Sequence, residues 1–169
     1  MKEVQITKGY VAIVDDEDFE MVSSRSWHVH VDKKRNCTYA LTDICSNGGH
    51  KTLSMHCFLV KPEKGYLVDH RNQNGLDNRR DNLRVCTSSQ NKCNSPKRRD
   101  SKNKYKGVSF RCNKWRAAIT KDGVKEHLGS FHTEIEAAMA YDRRAVELHG
   151  EFAYTNNVMY EIFGDFATG

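Results

Sequence analysis

Residues 66–91 read YLVDHRNQNGLDNRRDNLRVCTSSQN, and the order of elements in this stretch decides how the rest of the chain is read. Two short apolar pieces, Tyr66-Leu67-Val68 and Leu83-Arg84-Val85, bracket a polar run dense in Asn, Asp, Gly and Arg. Asn and Asp favour turns because their short side chains bond nearby backbone. Thr87-Ser88-Ser89-Gln90 follows, with Thr87 placed as N-cap and Gln90 three residues on, the pattern of a helix start. The stretch predicts strand, long loop, strand and helix.

The side chains carried by that frame suit phosphate chemistry. Cutting a phosphodiester needs a base to deprotonate water and a Lewis acid for the charge that develops on phosphate and leaving oxygen. His70 is a candidate base, because imidazole titrates near neutral pH. Asp69 precedes it, and neighbours on a strand point to opposite faces, so one can hold a metal while the other meets the water. A carboxylate and an amide are hard oxygen ligands suited to Mg²⁺ or Mn²⁺, and Asn91 on the following helix can supply the amide. Taken alone, an Asp-His pair before Asn-rich turns also describes a surface loop.

Order and spacing separate the two readings. The run Val68-Asp69-His70, an Asn/Gly turn, Leu76-Asp77-Asn78-Arg79, Asn82-Leu83, a short strand, Thr87 and a helix bearing Asn91 resembles the HNH endonucleases, in the H-N-N variant common in phage and intron-encoded homing enzymes. The resemblance covers about residues 55–94 and implies a ββα-metal fold. It implies that Asp69 and Asn91 hold the metal and that His70 is the general base. It also implies that Asn82 orients the histidine and pins the loop, and that Asn78 is a structural turn position. Met55-His56 matches a Met-His that precedes the motif in the family, as a packing residue or a phosphate contact, but Cys57 stands where Arg is usual.

Outward from this segment, charge is unevenly spread. The whole chain is +5, with 27 Lys and Arg against 22 Asp and Glu. Residues 61–130 hold 18 basic and 7 acidic side chains, net +11, between blocks of net −1 and −5. A basic middle on a neutralised scaffold suggests a polyanion-binding surface. No apolar run approaches a membrane span, and the N-terminus lacks the regions of a signal peptide. Six cysteines without a C-x-x-C pair read as reduced thiols of an intracellular protein, neither disulfides nor zinc ligands. Residues 4–14 and 27–31 alternate as strands, Lys33-Lys34-Arg35-Asn36 reads as a turn, and Asn47-Gly48-Gly49 as a hairpin before a strand over 51–55. The acidic run 15–18 between them reads as a solvated cap.

Residues 95–104 are rich in Lys, Arg and Ser and read as a linker. Beyond it, 105–111, 114–121 and 124–131 predict three strands joined by Cys112-Asn113 and Asp122-Gly123 turns. Thr133-Glu134-Ile135-Glu136 is a capping box. It opens a helix with Ile135, Ala138, Met139, Val146 and His149 on or near one stripe, stopped by Gly150. Tyr105-Lys106-Gly107-Val108, Trp115-Arg116-Ala117-Ala118-Ile119, Leu128-Gly129-Ser130-Phe131 and 136–142 resemble the AP2/ERF DNA-binding domain over about 104–157. The resemblance implies tight packing at Gly107 and Gly129, with Tyr141 and the alanines seating helix on sheet. It implies DNA-facing positions at Lys106, Ser109, Arg111, Lys114, Arg116, Ala118, Thr120 and His127. Lys121, and Lys97, Arg98 and Arg99 of the linker, join them as phosphate contacts. The sheet aromatics read as core, which ranks single-stranded RNA last among ligands.

The expected fold is α+β. A small β-rich part over 1–60 supports a ββα-metal nuclease module over 61–94. A basic linker over 95–103 leads to a three-stranded antiparallel sheet packed on one helix over 104–158, and 159–169 form a tail. The expected activity is metal-dependent hydrolysis of double-stranded DNA, inside a phage or bacterial host cell, by a protein read as monomeric. A DNA-binding regulator with an inactive nuclease module is the alternative.

Overall fold

In the computed structural model, which describes residues 1–33, 37–46, 49–97 and 103–158, the chain divides into two units, Met1–Asn91 and Lys92–Gly169. The expected turn residues 34–36 and 47–48, Arg98 and Arg99 of the basic stretch, and the tail 159–169 lie outside the described residues.

In the first unit, the strand expected over 4–14 is a hairpin. Strand β1 (Lys2–Gln5) pairs antiparallel with β2 (Val11–Val14) across a short 3₁₀ turn, because Lys8 takes a left-handed conformation with φ 62°. Helix α1 (Phe19–Ser23) follows, and Trp27 Nε1 donates to Val22 O at 2.8 Å. Strands β3 (His28–Asp32), β4 (Cys37–Ser46) and β5 (Gly49–Ser54) form a three-stranded antiparallel sheet in that order. Met55 ends no strand; it begins helix α2 (Met55–Val60), whose buried Met55 and Leu59 sit four residues apart on one face. Strands β6 (Leu67–His70) and β7 (Leu83–Cys86) then pair antiparallel, and α3 (Ser88–Cys93) starts after Thr87. One core takes Val4, Val14, Val22, Trp27, Met55 and Leu59 together with Val68 and Leu83. The β6–β7 hairpin therefore shares its apolar support with residues 1–60.

The second unit matches its expected plan. Strands β8 (Val108–Arg111), β9 (Lys114–Lys121) and β10 (Val124–Phe131) form an antiparallel sheet in the order β10-β9-β8. Helix α4 (Glu134–His149) opens on the capping box, with Thr133 Oγ1 accepting from Glu136 N at 3.2 Å and Glu136 Oε2 accepting from Thr133 N at 3.3 Å. The apolar stripe differs from expectation. Ile135 and Val146 are 41 % and 53 % exposed, while Ala137, Ala138, Tyr141 and Ala145 are buried with Ala117 and Ile119. Small side chains let the helix lie close to the sheet, and the branched residues fall outside the contact. The expected linker is also partly built in. Asn94 is buried, and Lys106 Nζ donates to Cys93 O at 2.9 Å and Ser95 O at 2.6 Å. No helix among the described residues is long and apolar enough to cross a membrane.

Gly107, at φ 75°, marks the closest approach. A Cβ there would collide with the Tyr141 ring and lie 2.8 Å from Ala118 O, whereas at Gly123 it would meet open space. Gly107→Ala is expected to cost roughly 2–4 kcal/mol, from overpacking plus left-handed strain, and Gly123→Ala only about 1 kcal/mol. Urea midpoints of the two variants measure the difference, and equal losses would contradict the packing described.

Candidate active site

His70 ends β6, and residues 71–82 form the loop that returns to β7. So polar a loop has no core of its own, yet it is cross-tied throughout. Asn82 Oδ1 accepts from Asn72 N at 3.0 Å, and Asn82 Nδ2 donates to Asp77 O at 2.7 Å. Asn72 Nδ2 donates to Asp77 Oδ2 at 2.8 Å. Arg79 grips the same carboxylate from Nε and Nη2 at 2.8 and 2.7 Å, and this bonding is the first cause holding the Asp77 carboxyl below the usual range. Gly75 passes so close to β4 that a Cβ would lie 2.6 Å from Tyr39 Cε1.

The N-terminal hairpin supplies the outer ties. Ile13 N donates to Leu76 O at 2.8 Å and Asn78 N donates to Ile13 O at 2.7 Å, a parallel bridge between β2 and the loop. Arg80 N donates to Asp15 Oδ2 at 2.8 Å, and the Arg80 guanidinium reaches Asp18 Oδ2 and Oδ1 at 2.8 and 2.7 Å. Asp18 is only 3 % exposed, which corrects the expectation of a solvated acidic cap. An unpaired carboxylate would not be stable at that depth, so Arg80 is its counter-ion. Nothing in the local sequence pairs these residues, which lie 62 positions apart.

At the centre, Asn78 is fully buried and its Oδ1 stands 3.4 Å from His70 Nε2. The histidine contact expected of Asn82 is thus made by Asn78, while both side-chain hydrogen bonds of Asn82 go to the loop. Asp69, the strand neighbour of His70, faces Arg84 across the ladder. Arg84 Nε and Nη2 donate to Asp69 Oδ2 at 2.9 and 2.7 Å, with both partners buried. Asn91 is half-buried on α3, whose start is fixed by a reciprocal cap: Thr87 N to Gln90 Oε1 at 2.8 Å and Gln90 N to Thr87 Oγ1 at 3.3 Å.

Two further rings complete the surroundings. The His56 ring lies 4.9 Å from that of His70 at 86°, and Tyr39 lies 5.5 and 6.0 Å from the two. Burial holds the His56 imidazole down at about 3, helped by the positive charge His70 could carry. Burial also lowers His70, against the opposing pull of Asn78, Asp69 and Asp77. Tyr39 was missing from the sequence reading, because its contact depends on sheet register.

In the second unit, register sorts the candidate DNA contacts by face. Arg116 lies between Ser109 and Ser130; Lys114 pairs with Arg111, Thr120 with Lys125, and Ala118 with His127. Directly opposed residues share a face, so Ser109, Arg111, Lys114, Arg116, Ala118, Thr120 and His127 line one side, away from buried Ala117 and Ile119. Arg116 Nε is buried there without a partner. Two of the residues expected to contact DNA lie off this face. Lys121 alternates with Ile119 onto the helix side, where its charge acts on His149. Lys106 precedes β8 and turns to the Cys93 and Ser95 carbonyls over the Tyr154 ring, and burial pushes its ammonium down to about 8. Lys97 Nζ donates to Asn103 O. Phe110 is 52 % exposed against Trp115, so the sheet aromatics are not all core.

The HNH endonuclease family pattern matches residues 61–93 of this chain, the β6–β7–α3 segment. Over 153 residues the chain is 31 % identical to an uncharacterised HNH endonuclease of Acanthamoeba polyphaga mimivirus, spanning 89 % of this chain and 77 % of that one. It is 33 % identical over 92 residues to Protein 3.8 of Escherichia phage T7, spanning 53 % and 75 %. A third likeness, 43 % over 56 residues, is to APETALA2-like protein 2 of rice and covers 31 % of this chain and 13 % of the plant protein. No solved structure matches significantly. The chain belongs to the HNH endonuclease family.

The buried rings give the first unit a characteristic acid response. A histidine whose folded pKa lies below its unfolded value of 6.5 takes up a proton on unfolding. Stability is complete above 6.5 and declines as pH falls toward about 3. Unfolding free energy should drop between about pH 6.5 and 4.5 by roughly 1 kcal/mol per pH unit on account of His56. His56→Phe should make the slope shallower, and an unchanged slope would show that His56 is not held neutral.

Proposed function

We propose that the chain is a metal-dependent DNA endonuclease of the homing type, cutting double-stranded DNA at sites chosen by the outer face of its C-terminal sheet. The observation that carries this reading is the seat of His70. Asn78 Oδ1 faces Nε2 at 3.4 Å and favours the tautomer with its proton there, which would put the basic lone pair at Nδ1. A ring kept neutral by burial is ready to accept a proton from water as that water attacks the scissile phosphate.

Asp69 and Asn91 carry oxygen donors of the kind a hard divalent ion takes. Asp69 offers carboxylate oxygen and Asn91 amide oxygen, and Mg²⁺ or Mn²⁺ commonly takes one or two such ligands with water and substrate phosphate filling the rest. Asp69 and Asn91 would hold it, and when bound it supplies positive charge for the leaving 3′ oxygen. Arg84 fixes the rotamer of the Asp69 carboxylate and offsets its buried charge. Asn82 keeps the loop in shape, and Arg80 with Asp18 keeps it in place. The succession β6, β7, α3 supports a ββα-metal module.

The sheet-and-helix order of the second unit and the likeness to the rice protein support an AP2/ERF-type reader. A narrow sheet can enter the major groove, where Arg111 and Arg116 would meet guanine edges and Lys114 and Thr120 the backbone. Relatives in a giant virus and a bacteriophage support a mobile nuclease acting inside a host cell.

His70→Ala should abolish cleavage of a cognate duplex with binding nearly unchanged, and Asp69→Ala or Asn91→Ala should do the same and weaken Mg²⁺ binding. End-mapping of the cut locus measures this, and normal cutting by His70→Ala would refute the assignment.

Duplex affinity should fall roughly ten-fold or more between about 50 and 200 mM salt. Arg116→Ala should relax base preference by ~1–3 kcal/mol, while Lys121→Ala, on the helix side, should change selectivity little. Binding selections on randomised duplexes test both, and the opposite ranking would place DNA on the wrong face.

A further inference from the structure

Among the described residues, three buried side-chain atoms lack a hydrogen-bond partner, and two of them, His56 Nδ1 and Asn78 Nδ2, belong to residues that touch His70. Buried polar atoms are nearly always satisfied, so such exceptions call for an explanation. Asn78 has a role through its other amide atom, Oδ1, which meets His70. His56 has no role yet.

Burial decides between the two roles its sequence position leaves open. A phosphate contact needs an accessible nitrogen, and a charged one gains most. His56 Nδ1 is shut off from solvent, and Nε2 is already bonded to Ser54 Oγ at 2.9 Å. What His56 does present is a ring, at 4.9 Å and nearly perpendicular to that of His70. Ser54 precedes α2 and fixes the rotation of that ring about its own axis. His70 is then held on two sides, by Asn78 at Nε2 and by the His56 ring against its own. Chemistry is sensitive to tilt: a base must meet its water within hydrogen-bond reach, and a displacement of about 1 Å can cost on the order of 100-fold in rate.

We infer that His56 is a positioning residue of the nuclease, a locked imidazole wall that sets the plane of His70, with Ser54 as its lock. The inference rests on His70 being the general base. It predicts a need for a flat ring at position 56, not for a positive charge.

The test is single-turnover cleavage at saturating duplex by the full chain, with duplex affinity measured in parallel. His56→Leu keeps apolar volume but has no ring, and should lower the rate at least about ten-fold with affinity unchanged. His56→Phe restores a ring and should recover most of the loss. Ser54→Ala should produce a smaller fall in rate, again at constant affinity. Equal impairment of His56→Leu and His56→Phe with weakened binding would overturn the inference in favour of a phosphate contact. Normal rates in both would overturn it as well. If His56→Leu does not fold, Ser54→Ala decides, since an unchanged rate would leave the lock without effect. His70→Ala separates the two levels. If that variant cuts normally the nuclease assignment itself fails, whereas an inactive His70→Ala beside a fully active His56→Leu removes only the positioning role.

Discussion

The paired hydrogen bonds between Ile13 and the 71–82 loop are the constraint on which the candidate active site depends. Asn78 can meet His70 only if its backbone is fixed, and that backbone is bonded to Ile13 O. Twelve residues, ten of them Asn, Asp, Gly or Arg, would otherwise cost too much entropy to order. The N-terminal hairpin removes that freedom by lending the loop a strand edge and two carboxylates. Val14 and Val4 anchor the hairpin in the core that also receives Val68 and Leu83, so loop and strands are registered against one apolar body. The β-rich N-terminal part thereby belongs to the chemistry, through geometry rather than through a reacting group.

Charge is used in two ways in the two units. Around His70 it is internally cancelled: Asp69 by Arg84, Asp77 by Arg79, Asp18 by Arg80. Pairs of this kind add little net stability, but they fix side-chain directions in an interior where an uncompensated charge is intolerable. On the outer face of the C-terminal sheet, Arg111, Lys114 and Arg116 stand beside one another on paired strands, with no acidic residue among the face positions named above. Repulsion there is the condition of a surface suited to a polyanion.

The features legible in the sequence are local. The Thr133 and Glu136 cap, the Thr87 and Gln90 cap and the alternation of β9 each need only a few neighbouring residues, and each stands in the structure as read. Features that depend on distant chain were not legible. Asp18 looked like solvated acid because its partner lies 62 residues away. Asn78 looked like a turn residue because its contact with His70 depends on Ile13. Counting lysines does not show where they point: Lys106 lies ahead of β8 and turns to the Cys93 and Ser95 carbonyls, and Lys121 falls on the helix side of the sheet. Ile135 and Val146 satisfied helical periodicity, but close packing against Ala117 selected the alanine stripe instead.

The grip of Lys106 on the Cys93 and Ser95 carbonyls has a bearing on where such a chain can be divided and rejoined. A segment transplanted from residue 104 onward would arrive with the half-buried Lys106 ammonium and neither of these acceptors for it. The unit that holds Lys106 begins at Lys92, inside the helix that carries Asn91, and not in the basic stretch that looks like the seam. A crossover that keeps the second unit whole therefore has to fall within that helix, ahead of the carbonyls that hold Lys106.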